Sequence, residues 1–192
     1  MRILPISLGA FVLAFASAGI VFKPQRVQAG TAVQMDISEV VGHSDLILEA
    51  HVLSAQSLRS EGMIETEYLL QVQQTYLGED EITRVVRLPG GVLPDGSGMI
   101  LAGMPQIAEG EDLLLFLSDS GATGIRMPVG LSQGKYRIQV SASGAKELVQ
   151  DSSGVTLVSA NGSLTSGEGR NVLSYAQVIA EVEAALEARE ED

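Results

Sequence analysis

The chain has 192 residues, no cysteine, no tryptophan and a formal net charge of −12 at pH 7. Without cysteine there is no disulfide, thiol nucleophile, Fe–S cluster or cysteine zinc site, and core packing has to supply the stability. Arg2, Lys23 and Arg26 precede residue 30 and all 24 acids follow it, so the remainder carries nine basic residues and a charge of −15. A field of that sign repels phosphates and argues against nucleic acid as a partner.

The front of the chain reads as an export signal. Arg2 gives a positive start, Ile3 to Phe22 is apolar apart from small residues and Pro5, and Lys23 to Arg26 leads into Val27-Gln28-Ala29. Valine and alanine at −3 and −1 before Gly30 predict a signal peptide over 1–29, cleaved after Ala29. Ala16-Ser17-Ala18 is a second candidate site inside the apolar run. The expected product is secreted or periplasmic, with no stable membrane insertion after cleavage. The competing reading keeps Ile3 to Phe22 as an anchor, since about 20 apolar residues suffice to span a bilayer. Pro5, Gly9 and Gly19 weaken such a helix.

Residues 30–192 read as one domain. Asp36-Ile37-Ser38-Glu39 is a capping pattern and predicts a short helix to about Gly42, with Ile37, Val40 and Val41 inward. Asp45 to Leu58 reads as a long first strand. In Met63 to Tyr76, Ile64, Thr66, Tyr68, Leu70 and Val72 share one face, while Glu65, Glu67, Gln71 and Gln73 share the other. That period of two predicts a half-buried strand with Glu65 and Glu67 on the solvated side. Ile82 to Leu88 is the third strand. Pro89 to Pro105, rich in Gly and Pro, then breaks the pattern. A long irregular segment in a compact domain is a candidate contact surface.

Leu113 to Leu117 is a continuous apolar run and predicts a central buried strand. Further strands are expected near Ile125–Val129, Lys135–Val140, Lys146–Gln150 and Val155–Val158, with Asn161–Gly169 as a loop. Ser174, with Gln177 as capping partner, opens a C-terminal helix over 174–189. Tyr175, Ile179, Val182 and Leu186 line its inner face, and Leu173 staples onto Val178. The 21 glycines and scarce aromatics agree with strands and turns. The expected class is mostly β.

Asp45-Leu46-Ile47-Leu48-Glu49-Ala50-His51-Val52 resembles the opening strand of netrin-like and tissue-inhibitor-of-metalloproteinase-like OB barrels. Tyr68 to Gly78 resembles their second strand, and Glu109 to Leu117 a later one. The likeness covers about 44–118. It implies an OB-like small antiparallel barrel, with added strands over 45–160 and binding loops. It implies no inhibitory residue, because those inhibitors reach a protease zinc with an N-terminal cysteine. Ala50 also stands where the family often has glycine. Gly103-Met104-Pro105 and Val129 to Lys135 are similar to segments of uncharacterised exported bacterial proteins, a likeness that implies export and no activity.

Gly130-Leu131-Ser132-Gln133-Gly134 matches a nucleophile elbow, which needs a helix after the serine and a later histidine. Here Lys135 to Val140 alternates as a strand, and His43 and His51 both precede the serine. The Ser132 to Lys135 spacing allows a lysine base, and the same spacing recurs at Ser143 and Lys146. His51 with Asp45 and Glu49, or Met63, Met99, Met104 and Met127, fall short of a metal centre. Glu109, Glu111 and Asp112 crowd one turn, and Glu65 and Glu67 one strand face, without an aromatic sugar platform. No phosphate loop, dinucleotide fingerprint or EF-hand loop is present.

No catalytic residue, metal ligand or cofactor follows from these patterns. The reading they favour is an exported, non-enzymatic binding module for an extracellular or envelope protein. Its expected contact residues are Pro89, Gly90, Gly91, Pro94, Asp95, Gly96, Met104 and Pro105. The alternatives are a small serine hydrolase with a Ser132/Lys135 dyad and a membrane-anchored structural envelope protein.

Overall fold

The computed structural model describes residues 30–167 and 169–191, so the expected signal peptide and the Ile3 to Phe22 anchor lie outside the described residues. The first strand, β1 (Gly30–Val33), leads to α1 (Ile37–Gly42). The Asp36 carboxylate accepts from Glu39 N at 2.8 Å, and the Glu39 carboxylate accepts from Asp36 N at 2.9 Å, the reciprocal cap expected there. Then β2 (Leu46–Ser60) and β3 (Met63–Leu77) form a hairpin of two 15-residue strands, extended by β4 (Thr83–Pro89). A small ladder of β5 (Gly91–Val92) and β6 (Gly98–Met99) interrupts the Pro89–Pro105 segment. After β7 (Asp112–Leu117) come β8 (Lys135–Val140), β9 (Lys146–Asp151), β10 (Val155–Val158), β11 (Leu164–Ser166) and β12 (Arg170–Ser174). The last element is α2 (Tyr175–Glu191).

The protein is mostly β, as expected, with two helices. One seven-stranded antiparallel sheet runs β12-β9-β8-β7-β2-β3-β4, and a three-stranded sheet runs β1-β10-β11. The large sheet curls without closing. Arg87 of β4 pairs in parallel with Ile125, and Leu117 of β7 pairs antiparallel with Pro128. The 125–128 segment thus links the two strands by single bridges where the sequence predicted a full strand at Ile125–Val129. Pro128 lacks the N–H a ladder needs. Neighbouring groups bond to opposite sides: Arg126 N donates to Arg87 O, while Met127 O accepts from Ser118 N, each at 2.9 Å.

Two apolar cores use opposite faces of that sheet. Leu46, Leu48, Ala50, Val52, Leu70, Val86, Leu113 and Leu115 fill the inside of the curl. Ile47, Leu114, Phe116, Tyr136 and Leu148 lie on the other face, covered by Val40 and Val41 of α1 and Val178 and Val182 of α2. Covering both faces is why β7 is buried from Leu113 to Leu117, as its unbroken apolar run predicted. Register shifts after Ile47, Glu49 and Val52 let the long β2 strand curl from one environment to the next.

Three sequence expectations are corrected. Glu65 is 2 % exposed, not solvated; Leu58 and Pro89 flank it across the two neighbouring strands. Alternation identifies a wet face only where nothing bulky covers it. The Asn161–Gly169 segment includes β11, which pairs with the free edge of β10. Residues 170–174 form β12 against β9, so Ser174 ends a strand as well as preceding α2.

Candidate functional site

The expected contact loop is pinned at its base. Gly90 N donates to Ile64 O at 2.8 Å. The Thr66 hydroxyl donates to Gly90 O at 2.7 Å and lies 2.9 Å from Ser57 Oγ. Gly91 sits directly over that pair. A Cβ at Gly91 would fall 2.3 Å from both hydroxyl oxygens, and its φ of +141° disfavours a side chain as well. Glycine is required there by close approach.

Beyond that base the loop lines an open cavity of about 370 Å3. Its lining is mainly apolar, with Leu88, Met99, Leu101, Met104 and Ile107 beside Thr66 and Tyr68. Burial raises the Tyr68 phenol above its ordinary value. Val92 is 62 % and Ile100 89 % exposed, and both also line the cavity. Two large side chains in water beside an apolar cavity form a candidate contact patch.

The cavity gathers five of the eight sequence-predicted contact residues: Pro89, Gly90, Gly91, Met104 and Pro105. It leaves out Pro94, Asp95 and Gly96. Those three build the turn between β5 and β6, where Leu93 N donates to Ser97 O and Gly96 N to Leu93 O. The Asp95 carboxylate accepts from Ser97 N at 2.8 Å and Ser97 Oγ at 2.6 Å, and these bonds hold its pKa below the usual value. Asp95 thus shapes the turn. Composition flagged the loop but missed Val92, Ile100 and Ile107, whose only signal was being large and apolar among Gly and Pro.

The remaining chemical motifs are engaged in structure. Lys135 Nζ donates to Gln106 O at 2.9 Å and to Glu111 Oε2 at 3.1 Å, while Ser132 Oγ is buried without a hydrogen-bond partner among the described residues. No hydrogen bond joins the serine to the lysine. Packing accounts for the Gly-x-Ser-x-Gly pattern: Gly130 has φ +63°, and a Cβ at Gly134 would lie 2.6 Å from Val129 N and O. Gln133 stitches this turn to the front of the chain, accepting from Met35 N at 2.9 Å and donating to Val33 O at 2.8 Å.

The crowded acids serve separate partners. Glu109 accepts from Ala55 N, Glu111 pairs with Lys135, and Asp112 bonds to His51 Nδ1 at 2.8 Å and Gln73 Nε2 at 3.1 Å. Glu49 is buried, and its Oε1 accepts the hydroxyls of Tyr76 and Tyr175. Met99 and Met104 wall the apolar cavity. Among the described residues no group of three or more His, Cys, Asp or Glu could hold a metal ion, and no helix is long and apolar enough to cross a membrane.

A larger cavity, about 710 Å3, lies between the Gln34–Ile37 segment, α2 and β12. Its wall includes Gln133 and Gln150, both bonded to backbone carbonyls within the fold. The smaller apolar cavity is the better candidate site because exposed apolar side chains flank it. No protein-family model, no curated protein and no solved structure matches the chain.

Proposed function

We propose that this chain is an exported, non-enzymatic binding module whose loop cavity receives an apolar side chain of an extracellular or envelope protein. The observation that carries the reading is the pairing of an apolar cavity of about 370 Å3 with Val92 and Ile100 left in water at its edge. Interface hot spots sit in well-packed pockets from which water is excluded. The loop base is rigid, fixed by Gly90, Thr66 and Ser57, so ordering it on binding costs little. The engagement of Lys135 by Glu111 and Gln106 supports a non-enzymatic role. The charge of −15 would steer a basic partner surface towards the protein and make capture sensitive to salt.

The test is affinity capture of envelope and secreted proteins on the purified protein beside its Ile100→Asp variant. Ile100 is almost fully exposed, so the substitution should leave stability within about 0.5 kcal/mol. A captured protein whose affinity falls at least about tenfold with Ile100→Asp supports the reading. Capture undiminished by the substitution removes the loop from it.

A further inference from the structure

Nine Lys and Arg residues follow residue 30, and most have a partner within the fold. Arg84 pairs with Glu81 and Arg87 with Glu67. Arg126 and Arg189 donate to the backbone carbonyls of Ser118 and Ser44, and Lys146 stands over the Tyr175 ring. Arg59 is exposed in the outer part of β2. The other three converge: Lys135, Arg137 and Arg170 line one cavity of about 380 Å3 together with Glu111 and Asp151.

Strand register brings them together. Lys135 faces Leu115 and Arg137 faces Leu113 across β7 and β8. Arg137 faces Val149 across β8 and β9, and Asp151 faces Arg170 across β9 and β12. Residues two apart share a face. The cations therefore stand on the continuation of the surface that lines the inner core at Leu113 and Leu115. The opposite face, with Tyr136 and Leu148, is packed under the helices. The inner surface turns from apolar to cationic where the sheet runs past the curl.

Lys135 is held by Glu111 and Gln106 O. Among the described residues neither Arg137 nor Arg170 has a side-chain hydrogen bond or an ion pair within 4 Å. Arg137 is half-buried, and a guanidinium drawn partly out of water without a partner is a cost that a bound anion would offset. Among the described residues, three cations against two carboxylates leave one excess positive charge in the cavity of a strongly acidic protein. The planar guanidinium fork matches a carboxylate in a bidentate fashion.

We propose that this cavity is a binding site for a singly charged oxyanion, a carboxylate foremost, held by Arg137 and Arg170 against the fixed charge of Lys135. A carboxylate neutralises the single excess charge, whereas a phosphate group brings about −1.5 to −2 and meets Glu111 and Asp151 unfavourably. Pro105 and Gln106 also wall the apolar loop cavity, but the anion site does not depend on the function proposed for that loop.

The test follows arginine Nε–Hε resonances by NMR in the purified protein during titration with sodium acetate and, separately, inorganic phosphate, with ionic strength held by chloride. Saturable shifts at Arg137 and Arg170 with acetate, absent at Arg84, are expected. Arg137→Gln or Arg170→Gln should weaken acetate binding about tenfold, and Arg137→Lys should recover part of it. Linear shifts, or shifts that are equal at Arg84, would overturn the site. Tighter binding of phosphate than of acetate would overturn the carboxylate assignment. The unsubstituted protein decides both points even where a variant fails to fold.

Discussion

Tyr175, the first residue of α2, places its hydroxyl 2.5 Å from the same Glu49 oxygen that Tyr76 reaches at 2.7 Å. A single buried carboxylate thereby ties the C-terminal helix to β2 and β3. Each phenol donates to an acceptor that has little water to fall back on, which makes both bonds stronger than exposed ones. Replacing Glu49 by Ala should cost about 3 kcal/mol in urea unfolding, and Tyr175→Phe about half as much. The Tyr175→Phe, Tyr76→Phe double variant should be more destabilised than the sum of the two singles, because only the double leaves the buried carboxylate oxygen without a donor.

The fold raises all four tyrosine phenols above their ordinary value. Burial is the first cause at Tyr68, Tyr76, Tyr136 and Tyr175, and the Glu49 carboxylate adds to it at Tyr76 and Tyr175. Tyr136 is pushed up to about 12. A raised folded value means the native state keeps a proton that the unfolded chain releases. The stability is therefore complete below about pH 10 and declines as pH rises beyond it. For Tyr136 alone the slope is about 1.4 kcal/mol per pH unit between 10 and 12. Ultraviolet titration should show the Tyr76 and Tyr136 phenols still protonated near pH 10 in folded protein; four tyrosinates forming together there would contradict the packing of those two rings.

Gly91→Ala should lift the β5–β6 ladder off Ser57 and Thr66, because its Cβ would fall 2.3 Å from both hydroxyls. The expected loss is about 1–3 kcal/mol of stability. Amide exchange at Gly90, whose N–H bonds to Ile64 O, should accelerate. Unchanged exchange there would show that the loop base is not anchored in this way.

Ser132 and Gln133 are adjacent and buried, yet substitution should separate them sharply. Ser132→Ala removes a hydroxyl that has no partner, and should change stability by no more than about 0.5 kcal/mol. Gln133→Ala strips partners from Met35 N and Val33 O, and should cost about 2–4 kcal/mol. Thermal unfolding of the pair checks this, and a Ser132→Ala variant that loses an ester-hydrolysing activity would reinstate the hydrolase reading.

The strands were legible where a single rule acted. The capping pattern at Asp36 and Glu39, the alternation in Met63 to Tyr76 and the apolar run of β7 each placed an element within a residue or two. Long-range pairing was not legible. Leu164–Ser166 became a strand because β10 offered an edge, and Gly30–Val33 because the other edge of β10 lay open. Glu65 shows the limit of periodicity, which fixes a side chain's direction and not what covers it. At the candidate site, Gly and Pro marked the loop, while the selection of Ile100 over Asp95 depended on the turn that Asp95 closes on itself. The convergence of Arg137 and Arg170 rests on a β8-β9-β12 register that no local pattern reports.

The pairing of Gly30 with Val155 has a consequence for the order of events during synthesis. The first strand to leave the ribosome has no partner until more than half of the protein has followed, and closing so long a segment is slow. Val40 and Val41 wait longer still, for Val178 and Val182, before their apolar surface is covered. Arg189 then latches across them by donating to Ser44 O at 2.8 Å. A chain arrested short of α2 is sticky along one whole side, so its passage to the folded state calls for a holding partner or rapid completion.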